Sequence, residues 1–90
     1  MSALTLDSKV KVHPRVSIRP EPFGALLYHF GTRKLSFLKS PRLLAVVCSM
    51  ASVTTVRAAL AEAEVSEEEE STYLGALNAL RDSQMLVEAP

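Results

Sequence analysis

The side chains best able to do chemistry in this chain are the run Glu67-Glu68-Glu69-Glu70, the histidines His13 and His29, and the single cysteine, Cys48. Four carboxylates suggest a site for a hard cation or an acidic docking patch. Consecutive helical positions, however, diverge around the axis and cannot converge on one ion. The run stands where a helix should begin. Ser66 and Glu69 have the spacing of a capping box, and Glu67 and Glu68 put negative charge where the helix dipole favours it. His13 and His29 are each remote in sequence from any other ligand type and read as structural or surface histidines. Cys48, between Val46-Val47 and Met50, reads as a small buried apolar residue. One cysteine excludes an internal disulfide and a cysteine metal cluster. There is no defensible Ser-His-Asp arrangement, no glycine-rich phosphate loop and no paired-histidine motif. The expectation is a protein that is not an enzyme, with no catalytic residue, metal or cofactor.

The chemistry that remains belongs to the backbone. In Lys34-Leu35-Ser36-Phe37-Leu38 the apolar Leu35 and Phe37 recur at period two, with Lys34 and Ser36 on the other side, as in a half-buried strand. A strand that ends a sheet leaves a row of N–H and C=O groups unpaired, which can accept an added strand. A slip of one residue exchanges Leu35/Phe37 for Ser36/Leu38, so either pair can face inward.

Other elements must hold that strand. Residues 1–13 alternate weakly (Val10 and Val12 against Lys9 and Lys11) without turn chemistry, and read as a flexible arm that can add a short strand. Val16 and Ile18 oppose Arg15, Ser17 and Arg19 in a first strand, which Pro20-Glu21-Pro22 should stop. Gly24 admits a second strand, Ala25 to Phe30, and Gly31-Thr32-Arg33 turns it into Lys34–Leu38. The first half is thus a three-stranded antiparallel meander with one face on the core.

The period then changes. Ser40-Pro41 is an N-cap followed by proline at the first helical position. Leu43, Leu44, Val46, Val47 and Met50 give that helix a wide apolar face. Thr54 or Thr55 caps a short second helix with Val56, Ala59, Leu60 and Ala63. A third helix follows the glutamates, with Tyr73, Leu77 and Leu80 on one stripe and Leu74 and Ala76 broadening it. Asp82-Ser83-Gln84 closes it, and Met85-Leu86-Val87 packs back as an extended piece. The fold class is α+β: a small winged-helix-like domain over 14–87, with a C-terminal tail at 88–90.

Composition sets the limits. Ninety residues make one domain, and hydrophobic residues at 48% suffice for a packed core. Ten basic and ten acidic residues cancel, so the footprint of a nucleic-acid binder is missing. Most of the Lys and Arg lie in residues 1–60, whereas 62–70 is strongly acidic. No apolar run reaches the length of a membrane span, and the N-terminus lacks the features of a secretory signal. A cytoplasmic location, away from membranes, is expected.

Several local features recur together: the Pro14-Arg15-Val16 opening, Gly24 before an apolar strand, and the Leu35-Ser36-Phe37-Leu38-Lys39-Ser40-Pro41 strand-to-helix junction. The Thr55-Val56 helix start and the Leu77-x-x-Leu80 helix leading into Met85-Leu86-Val87 complete the set. In this order they resemble the PqqD family, the peptide-recognition elements of ribosomal-peptide modification pathways, over about 14–87. With Arg19-Pro20-Glu21-Pro22-Phe23-Gly24-Ala25 included, the chain is most similar to the branch serving mycofactocin biosynthesis. The resemblance implies a non-catalytic adaptor that binds the leader of a precursor peptide and presents it to a radical S-adenosylmethionine maturase. It also implies strand addition, with the leader paired to the edge of 34–38 and lying beside the third helix. Carried onto this chain, Lys34, Leu35, Ser36, Phe37 and Leu38 supply the ladder, and Tyr73, Leu77 and Arg81 form the opposite wall. Arg33, Lys34 and Lys39 around the strand deter self-pairing and favour an acidic peptide. The edge allows a monomer or a strand-exchanged dimer.

Two other readings compete. Three helices and a small sheet also build a DNA-binding winged helix, but its recognition helix would open with four glutamates against phosphates. A structural subunit or small enzyme has no residue constellation to carry it.

Overall fold

The computed structural model describes residues 3–89. Five strands and three helices follow in the order β1 (Val10–Val12), β2 (Val16–Glu21), β3 (Gly24–His29), β4 (Leu35–Leu38), α1 (Pro41–Ser49), α2 (Val56–Glu62), α3 (Glu70–Asp82) and β5 (Leu86–Glu88). The expected meander is present as an antiparallel sheet in the order β2-β3-β4, and a second, two-stranded sheet pairs β1 with β5. The fold is therefore α+β, as the change of period indicates.

Strand β2 does not stop at Pro20. It runs to Glu21, and Glu21 faces Gly24 across a two-residue turn, Pro22-Phe23. The N–H of Phe30 donates to Arg15 O at 2.8 Å, which sets the ladder phase. In that phase Ser17/Tyr28 and Arg19/Leu26 exchange bonds, so the Pro20 nitrogen points away from β3. A proline there removes no ladder bond, as an edge strand allows. Gly24 has φ +148°, and a Cβ on it would collide with Leu38 O. The chain leaving β4 for α1 passes too close for any side chain there.

The helix starts follow their caps. Ser40 Oγ accepts the Leu43 N–H at 3.2 Å, and Thr55 Oγ1 accepts that of Ala58 at 3.2 Å. Helix α3 departs from expectation because it begins at Glu70 and is not boxed by Ser66. Instead, a turn over 66–69 precedes it, in which Ser66 Oγ donates to Glu69 Oε1 at 3.1 Å and Glu69 N–H donates to Ser66 O at 3.0 Å. With its hydroxyl so used, Ser66 closes the turn, and Glu69 stands at the N-cap with no side-chain hydrogen bond to the helix's own N–H groups.

The core unites both halves through Leu27, Leu38, Val46, Val47, Val56, Leu60, Leu77, Met85 and Leu86, all buried. Cys48, expected inside, is exposed. It follows Arg42 and Ala45 at intervals of three on the solvent side of α1, opposite Val46, Val47 and Met50.

Residues 3–13, read from the sequence as an arm, are built into the fold. Leu4 and Val10 are buried, and Lys11 faces Val87 in the β1–β5 ladder. Leu4 N–H donates to Asn78 Oδ1 at 2.7 Å, while Ser8 O and Leu6 O accept from Val56 and Arg57 at the start of α2. These partners lie some fifty to seventy residues away, so local patterning gave no sign of them. The expected tail likewise continues β5 through Glu88, and Ala89 N–H reaches Lys9 O at 2.8 Å. Met1, Ser2 and Pro90, the outer ends of the arm and tail, lie outside the described residues. Among the described residues no helix is long and apolar enough to cross a membrane.

Candidate functional site

Among the described residues strand β4 pairs with β3 on one side only, so its other edge is open. The geometry of that edge follows from one bond. His29 N–H donates to Lys34 O at 3.0 Å, which fixes the alternation along β3 and β4. The register sets Leu27 against Ser36 and Ala25 against Leu38, and these pairs carry the ladder bonds. The N–H and C=O groups of Leu35 and Phe37, opposite Tyr28 and Leu26, therefore point outward along the open edge.

Beside this edge lies a groove of about 370 Å³. All four residues of β4 border it, with Leu43 from α1, Ala76, Ala79 and Leu80 from α3, and Ser83 at the C-cap of α3. The α3 residues and the C-cap fall at i, i+3, i+4 and i+7, on one face of the helix. Three of them are small, which leaves room between helix and strand. Leu38 is buried and Ser36 half-buried, whereas Leu35 and Phe37 are exposed. Of the two pairs left open by the sequence, Ser36 and Leu38 turn inward.

The expected site residues divide. Leu35, Ser36, Phe37 and Leu38 border the groove, and Arg33 and Lys34 precede them on the surface. Tyr73, Leu77 and Arg81 are not on the groove wall. Leu77 is fully buried in the core, and Tyr73 is half-buried against it. Arg81 faces β5, where its guanidinium pairs with Glu88 at 3.4 Å and with Asp82 at 3.9 Å. The wall stripe is one position away from the one expected. The small residues Ala76, Ala79 and Ser83 at helical spacing are the signal that could have found it. Glu69 of the acidic run pairs with Arg42 at 3.7 Å, tying the start of α3 to α1.

The turn that delivers β4 is held by a histidine. His29 Nδ1 accepts the N–H groups of Gly31 at 2.9 Å and Thr32 at 3.1 Å, so the proton of the neutral ring lies on Nε2. His29 is buried, and its Nε2 has no hydrogen-bond partner among the described residues. Its ring lies 4.3 Å from that of His13. Burial, followed by the charges of His13 and Arg15, pushes its pKa below the ordinary histidine value. Neutral His29 thus supports the bend at 30–34, where Arg33 takes φ 63° and its N–H donates to His29 O at 2.7 Å.

The arrangement offers backbone donors and acceptors along an open edge, with apolar space beside it, and so suits an extended peptide. Comparison with known proteins gives the family. Residues 9–87 match the family model described as "Peptide chaperone MftB family". The chain is 57% identical over 81 residues to "Peptide chaperone MftB" of Mycobacterium ulcerans (strain Agy99), covering 90% of this chain and 74% of that protein. It is 54% identical, with the same coverage, to the protein of that name from Mycobacterium tuberculosis (strain ATCC 25618 / H37Rv). The Mycolicibacterium smegmatis (strain ATCC 700084 / mc(2)155) protein of that name is 51% identical over 86 residues, or 93% of this chain and 84% of its own. No solved structure matches the chain significantly. This chain belongs to the peptide chaperone MftB family.

Proposed function

We propose that this protein is a non-catalytic, cytoplasmic adaptor that binds the leader of the mycofactocin precursor peptide by strand addition and presents it to a radical S-adenosylmethionine maturase. The observation that carries this reading is the open β4 edge beside an apolar groove. Backbone groups of Leu35 and Phe37 bond the incoming strand, and alternate leader side chains enter between β4 and α3. The groove wall is then Ala76, Ala79 and Leu80, in place of Tyr73, Leu77 and Arg81. Arg33, Lys34 and Lys39 have no ion-pair partner among the described residues and are available to an acidic leader. After the cost of ordering a flexible leader, a dissociation constant of about micromolar is expected.

The test is calorimetric titration of the isolated leader into wild type and Phe37→Pro. The Phe37 N–H points to the open edge, so proline removes a donor from the docking side and spares the β3–β4 ladder. The variant should fold, as circular dichroism would show, and lose the leader. A wild type that ignores the leader would refute the function. A folded Phe37→Pro variant that still binds it would move the site off β4.

A further inference from the structure

Large apolar side chains left exposed on a strand edge are unusual, because natural edges are blunted by charge, bulges or cover. Here the large exposed hydrophobics among the described residues are Phe23 (46% exposed), Phe30 (59%), Leu35 (54%) and Phe37 (59%). All four belong to the outer face of the β2-β3-β4 sheet, turned away from the helices. Phe37 and Leu35 are the β4 positions opposite Leu26 and Tyr28, which share that face. The Phe23 ring lies 6.3 Å from that of Phe37, and Phe30 meets Tyr28 edge-on at 4.9 Å. Exposed hydrophobics scattered singly need no explanation, but a cluster reaching an open edge does.

We infer that a leader docked on β4 is read on both faces at once, and that the segment recognised holds adjacent apolar residues, with carboxylates at its ends. This rests on the strand-addition reading above. Residues directly opposite one another in neighbouring strands share a face. Leader residues opposite Ser36 and Leu38 turn into the groove, toward Ala76, Ala79 and Leu80. Those opposite Leu35 and Phe37 turn to the outer face and extend the apolar rows Tyr28–Leu35 and Leu26–Phe37. A strand with one face in water alternates apolar and polar residues, whereas a strand covered on both faces does not. Here the groove covers one face and the exposed rings serve the other. Lys34 and Lys39 stand at the two ends of β4, where they meet acidic residues flanking the apolar pair.

A second copy of this chain is the other candidate to cover the outer face. Pairing β4 with its own copy would bring Arg33, Lys34 and Lys39 of each chain close to those of the other, a like-charge arrangement that opposes it. The leader carries no such penalty and takes the backbone bonds of the same two residues whose side chains are exposed.

The experiment is a leader scan, with each apolar residue replaced in turn by serine, titrated by calorimetry against wild type and Phe37→Thr. Threonine keeps the N–H and suits a strand, so only the outer-face ring is lost. Leu35→Thr serves as a second variant, and melting curves establish that each is folded. Phe37→Thr should weaken binding about 2- to 5-fold. One leader residue should lose its sensitivity in that background, and its immediate neighbour should keep its own, as a double-mutant cycle reads it. The inference is overturned if both folded variants bind as wild type does, or if only every second leader residue matters. It is also overturned if sedimentation shows a wild-type dimer that Phe37→Thr dissolves, because a second copy then covers the face. A leader that fails to bind wild type at all refutes the function itself, and is thereby distinguished from these results.

Discussion

The imidazole Nδ1 of His29 lies 2.9 Å from the amide nitrogen of Gly31 and accepts its proton. That bond needs an unprotonated Nδ1, so the turn leading into β4 depends on the charge state of the ring. The groups facing the ring are His13 and Arg15, both of which oppose a second positive charge. Because the folded-state pKa lies below the ordinary value of 6.5, folding favours the neutral ring. Its stability contribution is intact above about pH 6.5 and is lost as pH falls below that value toward the lowered pKa. Melting temperatures measured from pH 8 to pH 5 should hold steady and then decline. His29→Gln should be less stable at pH 8 and should decline less on acidification.

Gly24 and Gly75 should respond oppositely to alanine. A Cβ at Gly24 collides with backbone, with Leu38 O and with Ser40 N at 2.9 Å, and φ is +148°. Gly24→Ala should cost about 3 kcal/mol or more in urea denaturation. Gly75 lies within α3 with nothing within 4 Å of an added Cβ. Gly75→Ala should stabilise by about 0.5–1 kcal/mol.

Asn78 fastens the N-terminal segment to α3. Its Oδ1 accepts the Leu4 N–H at 2.7 Å, and its Nδ2 donates to Leu74 O at 3.0 Å and Leu4 O at 3.4 Å. Asn78→Ala should cost about 1 kcal/mol. Hydrogen exchange at the Leu4 amide should accelerate more than at the β3 amides.

Filling the groove should separate recognition from folding. Ala79 is exposed and lines the groove beside Leu80. Ala79→Leu keeps a strong helix former and changes stability by less than about 0.5 kcal/mol. On the proposed docking, leader affinity should fall at least about 10-fold in calorimetry, because the added side chain fills the groove assigned to the peptide.

Most elements were legible because their signals are local. The change from period two to period 3.6 after Leu38, the Ser40-Pro41 cap and Thr55 act within a few residues of themselves. Pro20 misled because a proline stops a strand only where its nitrogen is needed, and that depends on which neighbour stands on that side. The N-terminal segment adds the short strand its alternation allows, but what holds it is distant in sequence: Leu4 is held by Asn78, and Val10 lies opposite Glu88. On α3, sequence reasoning chose Tyr73, Leu77 and Arg81, of which Leu77 faces the core and Arg81 faces Glu88. A helix with two apolar neighbours has two stripes, and the larger side chains marked the one that builds the core. Cys48 shows the converse, since apolar neighbours in sequence do not bury a residue that the helix turns to its solvent side.

The phase of β4 divides its residues by consequence. Ser36 and Leu38 carry the ladder to β3, and Leu38 enters the core; Leu35 and Phe37 direct their amides and side chains outward. On the proposed docking, even-numbered positions answer to folding and odd-numbered ones to the peptide. If the peptide docks there as proposed, a four-residue strand built this way lets two positions be retuned for a different ligand without disturbing the protein that displays them.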